Sequence, residues 1–230
     1  MKRLSRSEPK RRAPKAGGPR GRRRDGDTEH RILDAAHAVF VRRGTAGARM
    51  QEIAAEANVN QALLHYYFRN KEQLAHAAFA RAAKGFMPAV VQVMASAGDL
   101  EEKVRRVIDL EIGHLSRAPY LPGYIIGEVT HHPERVPQLI AAVTGLAPSE
   151  LGPRVLGTLR RQIRSRVKAG VMRDIAPESF IVNLMALCIF PFAVRPMVQT
   201  MLGMDDRRFE QFITRRREQL PAFFLGALRP

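Results

Sequence analysis

Residues 50–74 read MQEIAAEANVNQALLHYYFRNKEQL, and the fold is decided by how this stretch is parsed. Ile53, Ala54 and Ala57 lie at the spacing of one buried face, which predicts a short helix over 50–57. Asn58-Val59-Asn60 then makes a turn: Asn58 tolerates a left-handed backbone, and Asn60 is a favourable helix cap. A second short helix over 61–67 buries Val59, Leu63 or Leu64, and Phe68, and leaves Gln61, Ala62, His65 and Tyr66 on its other side. His65, Tyr66 and Tyr67 are consecutive, so they cannot all face a core. Two short helices joined by a turn of three or four residues, the second rich in side chains able to reach a duplex, are the pattern of a helix-turn-helix. Small Ala62 lets the backbone approach DNA, Gln61 can offer a bidentate amide to adenine, and Tyr66, Tyr67 and Lys71 suit phosphate oxygens.

Upstream, Asp27-Thr28 supply caps, and Ile32, Ala35, Ala36, Val39 and Phe40 form one face of an amphipathic helix that Gly44 is placed to end. Downstream, a longer helix after Arg69-Asn70 carries Leu74, Ala78 and Phe79 inward. Helices follow over 99–117 and 149–168, with Pro119, Pro122 and Pro133 delimiting shorter pieces between them. Residues 178–202 are apolar nearly all round, which predicts a helix buried on every side and kinked at Pro191 and Pro196. A last helix over 205–228 carries an apolar stripe that includes Phe209, Phe212, Ile213, Leu220, Phe223 and Phe224. No strand pattern or phosphate-binding glycine loop is present. The expected fold is all-α: a three-helix DNA-binding domain at 25–75, then a larger helical domain at 76–230.

The charge is unevenly spread. Of the net +16 over 230 residues, residues 1–24 hold eleven Lys or Arg against Glu8 alone, a net of +10. Residues 25–75 net −1 and residues 76–230 net +7. The first 24 residues have little to bury and are expected to be a disordered basic tail suited to a polyanion; a merely solubilising leader is the bland alternative. The single cysteine, Cys188, excludes a disulfide scaffold and suits a reducing cytosol, where it reads as a small buried hydrophobe. No apolar run reaches the length that spans a bilayer, and the tail lacks the apolar face a membrane anchor needs, so no membrane partner is expected.

The run Leu64-His65-Tyr66-Tyr67-Phe68-Arg69-Asn70-Lys71-Glu72-Gln73-Leu74, with Ile53-Ala54 and Val59-Asn60 before it, resembles the N-terminal domain of TetR-family transcriptional regulators over about residues 28–79. The resemblance implies that Gln61, Ala62, His65, Tyr66, Tyr67 and Lys71 occupy DNA-contacting positions. It also implies a cytoplasmic, nucleoid-associated homodimer that reads a palindromic operator and answers a small-molecule effector, with 76–230 as the helical ligand-binding and dimerisation domain. Asn58 stands where the family usually has Gly, His65 where Tyr is frequent, and Arg49 where a Thr often caps the second helix; an Arg there can reach a phosphate instead.

Within the second domain an apolar pocket is expected, drawing on Glu111, His114, Tyr124, Glu128, His131, Leu184 and Cys188. The dimer interface is expected on the last two long helices, through Phe209, Phe212, Ile213, Leu220 and Phe224. Two pairs at Glu-x-x-His spacing, Glu111 with His114 and Glu128 with His131, also raise a competing class, a di-metal carboxylate enzyme in a helical bundle. The apolar helix after Glu178 leaves the ligand set short of carboxylates, so the expectation is a regulator with no catalytic residues, no metal and no cofactor.

Overall fold

A computed structural model describes residues 19–84 and 86–230, with side chains from Gly26 onward other than that of Glu128. The described residues are helical throughout, without strands. The DNA-binding end consists of α1 (Pro19–Gly47), α2 (Met50–Glu56), α3 (Gln61–Tyr67) and α4 (Lys71–Lys84). The body continues as α5 (Met87–Ala95), α6 (Leu100–Arg117), α7 (Leu121–His131), a 3-10 turn (Pro133–Arg135) and α8 (Val136–Thr144). It ends with α9 (Pro148–Lys168), α10 (Pro177–Ala193), α11 (Arg195–Leu202) and α12 (Asp206–Gly226).

α1 starts at Pro19, ahead of the expected caps at Asp27 and Thr28, so residues 19–24 of the basic segment are helical. Proline suits a first helical position and arginine is a good helix former. Residues 1–18, where most of the expected disorder falls, lie outside the described residues. Gly44, with φ +67°, breaks α1 where a stop was expected, and one offset turn follows to Gly47. Ile32, Ala36, Val39 and Phe40 of α1 are fully buried with Ile53, Leu64 and Leu74, and these side chains form the core of the small domain.

α6 organises the body. The Asp99 carboxylate accepts from the Glu101 and Glu102 backbone amides at its start, and Val104, Val107, Ile108 and Ile112 are buried along it. α12, α10 and α5 pack around this stripe. Within the DNA-binding end the Arg81 guanidinium of α4 donates to Asp34 of α1 at 2.5 Å, and the body meets this end where the 3-10 turn's Arg135 donates to Glu72 of α4 at 2.8 Å.

Two expectations are corrected here. The apolar stretch 178–202 is two helices, α10 and α11, bent by 75° at Val194, because Pro196 begins a helix more readily than it continues one. α10 is also not buried on every side: Val182 and Phe190 are exposed. Second, Phe209, Ile213, Leu220 and Phe224 of α12 are buried inside the protomer. The Phe224 ring stands edge-on to Phe180 at 5.1 Å, so these four side chains are not available to a partner subunit. Phe212 is half-buried and Phe223 is 67% exposed. The stripe faces inward because α12 is amphipathic and α6, also amphipathic, lies closest to it.

Pro191 sits inside α10 and has no N–H to offer the Leu187 carbonyl one turn earlier. The Arg216 guanidinium of α12 fills that role, donating to Leu187 O through Nη2 at 2.9 Å and through Nε at 3.2 Å. Helix α12 is thereby pinned to α10 by the bond that the proline leaves unmade. Arg216→Met keeps the apolar stem and strands this carbonyl, and a loss of about 1–3 kcal/mol is expected. In a Pro191→Ala background the restored N–H at position 191 takes the carbonyl, and the same substitution should cost less than about 1 kcal/mol. Urea unfolding of the four proteins at one protein concentration measures this coupling.

Candidate functional site

The turn between α2 and α3 is closed by a Schellman arrangement built on Asn58. Asn58 lies in the left-handed region at φ +53°. Its N–H donates to Ala55 O at 3.1 Å, and that of Val59 reaches back to Ala54 O at 3.0 Å. The Asn60 side chain then caps α3 by accepting from the Leu63 amide at 2.7 Å. Leu64 is fully buried, and Phe68 is buried after the last turn. The face opposite Leu64 is open, with Ala62 exposed and Tyr66 78% exposed, and Gln61 and His65 at its sides are exposed as well. Tyr67 is half-buried, edge-on to Tyr66 at 5.3 Å. His65 Nδ1–H donates to Arg69 O at 3.2 Å, which fixes the ring and leaves Nε2 for an outside partner.

Lys71 departs from its expected place. Its ammonium donates to the carbonyls of Ala46 at 2.9 Å and Ala48 at 3.2 Å. It ties the start of α4 to the corner between α1 and α2 and is not extended toward a phosphate. The α4 start carries a reciprocal cap that sequence reading missed: Asn70 Oδ1 accepts from Gln73 N at 2.8 Å, and Gln73 Oε1 from Arg69 N at 3.3 Å. The polar-x-x-Gln spacing of residues 70–73 was the available signal. Arg49 precedes α2 in an extended conformation and gives it no side-chain cap.

Ion pairs take up part of the acidic charge of this domain. Arg42 donates to Glu56 at 2.7 Å and Arg43 lies 3.5 Å from Glu52, so those acids neutralise the end of α1. Arg49 and Arg69, both exposed, make no side-chain ion pair among the described residues.

In the body, a cavity of about 250 Å³ lies among α4, α6, α7, α8 and α10. Its wall is apolar apart from Glu111, which is 2% exposed. Burial pushes the Glu111 carboxyl up to about 7. Of the other expected pocket residues, Leu184 lines an adjoining apolar groove. Cys188 is fully buried, and burial pushes its thiol up to about 12. His114 is stacked on Phe86 at 3.8 Å with Nε2 unpartnered, and burial holds it down to about 4. Tyr124 is stacked on Phe79 at 4.8 Å, and its hydroxyl lies 3.2 Å from His76 Nδ1 of α4. His131 is exposed and bonded to Gly127 O at 2.8 Å, so it faces away from the cavity. Tyr120, just before α7, lies 2.9 Å from His37 Nδ1 of α1. Among the described residues no three His, Cys, Asp or Glu side chains come together to hold a metal ion. No single helix among them is long and apolar enough to cross a membrane.

A capped helix-turn-helix on a helical body with an internal apolar cavity defines a DNA-binding regulator. The profile described as "Bacterial regulatory proteins, tetR family" matches residues 32–78. The HTH-type transcriptional repressor Rv3405c of Mycobacterium tuberculosis is 31% identical over 145 residues, 62% of this chain and 74% of that protein. The HTH-type transcriptional repressor SCO4008 of Streptomyces coelicolor is 29% identical over 185 residues, 78% of this chain and 85% of that protein. The fold matches that of a TetR/AcrR-family transcriptional regulator from Thermobifida fusca with a TM-score of 0.56, at 15% identity, covering 89% of this chain and 100% of that one. The chain belongs to the tetR family of bacterial regulatory proteins and is a DNA-binding transcriptional regulator. The competing di-metal enzyme finds no support among these relatives.

Tyr66 and Lys71 are expected to separate cleanly on mutation. Tyr66→Ala should weaken DNA binding and leave thermal stability unchanged, since the ring is exposed. Lys71→Ala should lower the melting temperature, because two backbone carbonyls lose their donor, and should leave the salt dependence of binding nearly as it was. Anisotropy against salt, with differential scanning fluorimetry, reads both.

Glu111 sets a pH dependence. Its folded value near 7 lies above the ordinary 4.5, so the unfolded chain releases this proton first, and stability falls as pH rises from about 4.5 to about 7. His114 acts oppositely: its value near 4 makes stability fall as pH drops from about 6.5 to about 4. Glu111→Gln should gain up to about 3 kcal/mol at pH 8 and little at pH 4.5. Unfolding curves at the two pH values check the sign.

Proposed function

We propose that the protein is a homodimeric repressor held on a palindromic operator by two copies of α3 and released when a small, mainly apolar effector fills the cavity. The observation that carries the DNA half is the exposure of Gln61, Ala62, His65 and Tyr66 on a helix anchored by fully buried Leu64. Gln61 and His65 read base edges, Ala62 admits the backbone, and Tyr66 with Arg49 and Arg69 contacts phosphates. Tyr67, half-buried, adds its hydroxyl at the rim. The basic residues of segment 1–24 add cations for neighbouring phosphates, and a regulator that acts on DNA works in the cytoplasm at the nucleoid.

Release is supported by the position of α7. Leu121, Pro122, Ile125 and Val129 line the cavity, while Tyr120 just before α7 and Tyr124 in its first turn contact His37 and His76 in the DNA-binding domain. An effector that displaces α7 therefore changes the seat of α1 and α4, and with it the spacing of the two recognition helices. For the dimer contact, the exposed apolar side chains of Val182, Phe190, Met197, Met201, Leu202 and Phe223 on α10, α11 and α12 replace the buried stripe of α12. The repressor names of the relatives agree with this reading.

Selection of bound duplexes from random oligonucleotides tests it. The expected outcome is a palindromic consensus with half-sites about one helical turn apart. Binding that enriches no sequence, or only a single unrepeated half-site, would overturn the operator reading.

A further inference from the structure

We propose that Glu111 anchors the ligand of the core cavity, and that this ligand is a compact apolar molecule carrying one cationic amine. The inference rests on the effector reading above for its regulatory meaning, and on the geometry of the cavity for its chemistry.

Among the described residues, Glu111 of α6 is the one ionisable residue bordering a cavity whose remaining wall, including Phe79, Met87, Ile140 and Met185, is apolar. It is 2% exposed, and no hydrogen bond or ion pair joins its carboxyl to another described residue. Buried carboxylates are ordinarily paired, because a desolvated charge without a partner is costly. The ionisable groups nearby do not supply that partner. Cys188 of α10 is a neutral thiol. Arg216 of α12 is committed to the Leu187 carbonyl. His114, one turn along α6, is stacked against Phe86 and held neutral by burial. The cavity therefore has one unmet electrostatic demand, at one point of an otherwise hydrocarbon wall.

An ammonium group meets that demand twice over, by charge and by N–H donation. A hydroxyl supplies only the donor, and a carboxylate repels. At about 250 Å³ the cavity suits a compact body. The adjoining groove shares Met87, Ile140 and Met185 with it, and these flexible side chains can accommodate an extension toward Glu178 at the surface.

Three isosteric probes test this on the full-length protein by titration calorimetry at pH 8: cyclohexylmethylamine, cyclohexylmethanol and cyclohexanecarboxylate. The amine is expected to bind on the order of tenfold or more tighter than the alcohol, with the carboxylate weakest. In Glu111→Gln the amine should fall to the level of the alcohol, whose affinity stays the same. Glu111→Asp should keep the preference at lower affinity. Equal binding of amine and alcohol to the unmodified protein, no binding of the amine at millimolar concentration, or an amine preference that survives in Glu111→Gln would each overturn the assignment. Operator affinity measured in the same samples separates the two readings. Intact operator binding without amine binding rejects the anchor and leaves the repressor standing. Amine binding that follows Glu111 but does not weaken operator binding upholds the anchor and rejects the amine as effector.

Discussion

Burial of Leu64 is the constraint on which the DNA-reading face depends. A helix of seven residues is far below the length at which helices persist alone, so α3 exists because something outside it holds it. Leu64 and Phe68 anchor one side in the core made with Ile53, Phe40 and Leu74. Asn60 caps the first turn, and the Asn58 turn sets the angle at which α3 leaves α2. Once Leu64 points inward, the helical period sends Ala62 and Tyr66 outward, with His65 beside them, and Gln61 is exposed in the first turn. The Lys71 ammonium serves the same frame from the other side, joining α4 to the corner that carries α2.

The body shows two ways of handling a buried charge. Lys103 is as deeply buried as Glu111, yet its ammonium donates to Met94 O at 3.1 Å, to Gln162 Oε1 at 2.9 Å and to Ser96 O. It closes the end of α5 onto α6 and α9 and is structural. Glu111 has no such set and borders empty space. The distinction between a structural charge and a ligand-facing one is thus drawn by partners, since the depth of burial is the same. A comparable economy operates between Pro191 and Arg216, where a missing backbone donor in one helix is replaced by a side chain of another.

α7 joins these two regions. Its cavity-facing side chains and the tyrosines at its start lie within one or two turns of each other, so a displacement on one side has a short mechanical path to the other. The tyrosine–histidine contacts are polar and few, and such contacts can be remade in a second arrangement more readily than a packed core.

Local sequence determined the all-α class, the bounds of α3, the left-handed turn at Asn58, the cap at Asn60 and the exposed reading face, because each follows from residue type and helical period over a few positions. The resemblance of residues 28–79 to a known family extended this to function. Other features were decided only in three dimensions. Lys71 reads as a phosphate contact until the carbonyls of Ala46 and Ala48, more than twenty residues earlier, come within reach. The stripe Phe209, Ile213, Leu220 and Phe224 reads as an interface, because an amphipathic helix declares that it has an apolar partner without saying which one; α6 and α10 of the same chain take that place. Glu111 was legible as a pocket residue, but its isolation was not, since the absence of a partner is a property of every neighbouring helix at once. Periodicity encodes which face is buried, and only the packing of distant segments encodes against what.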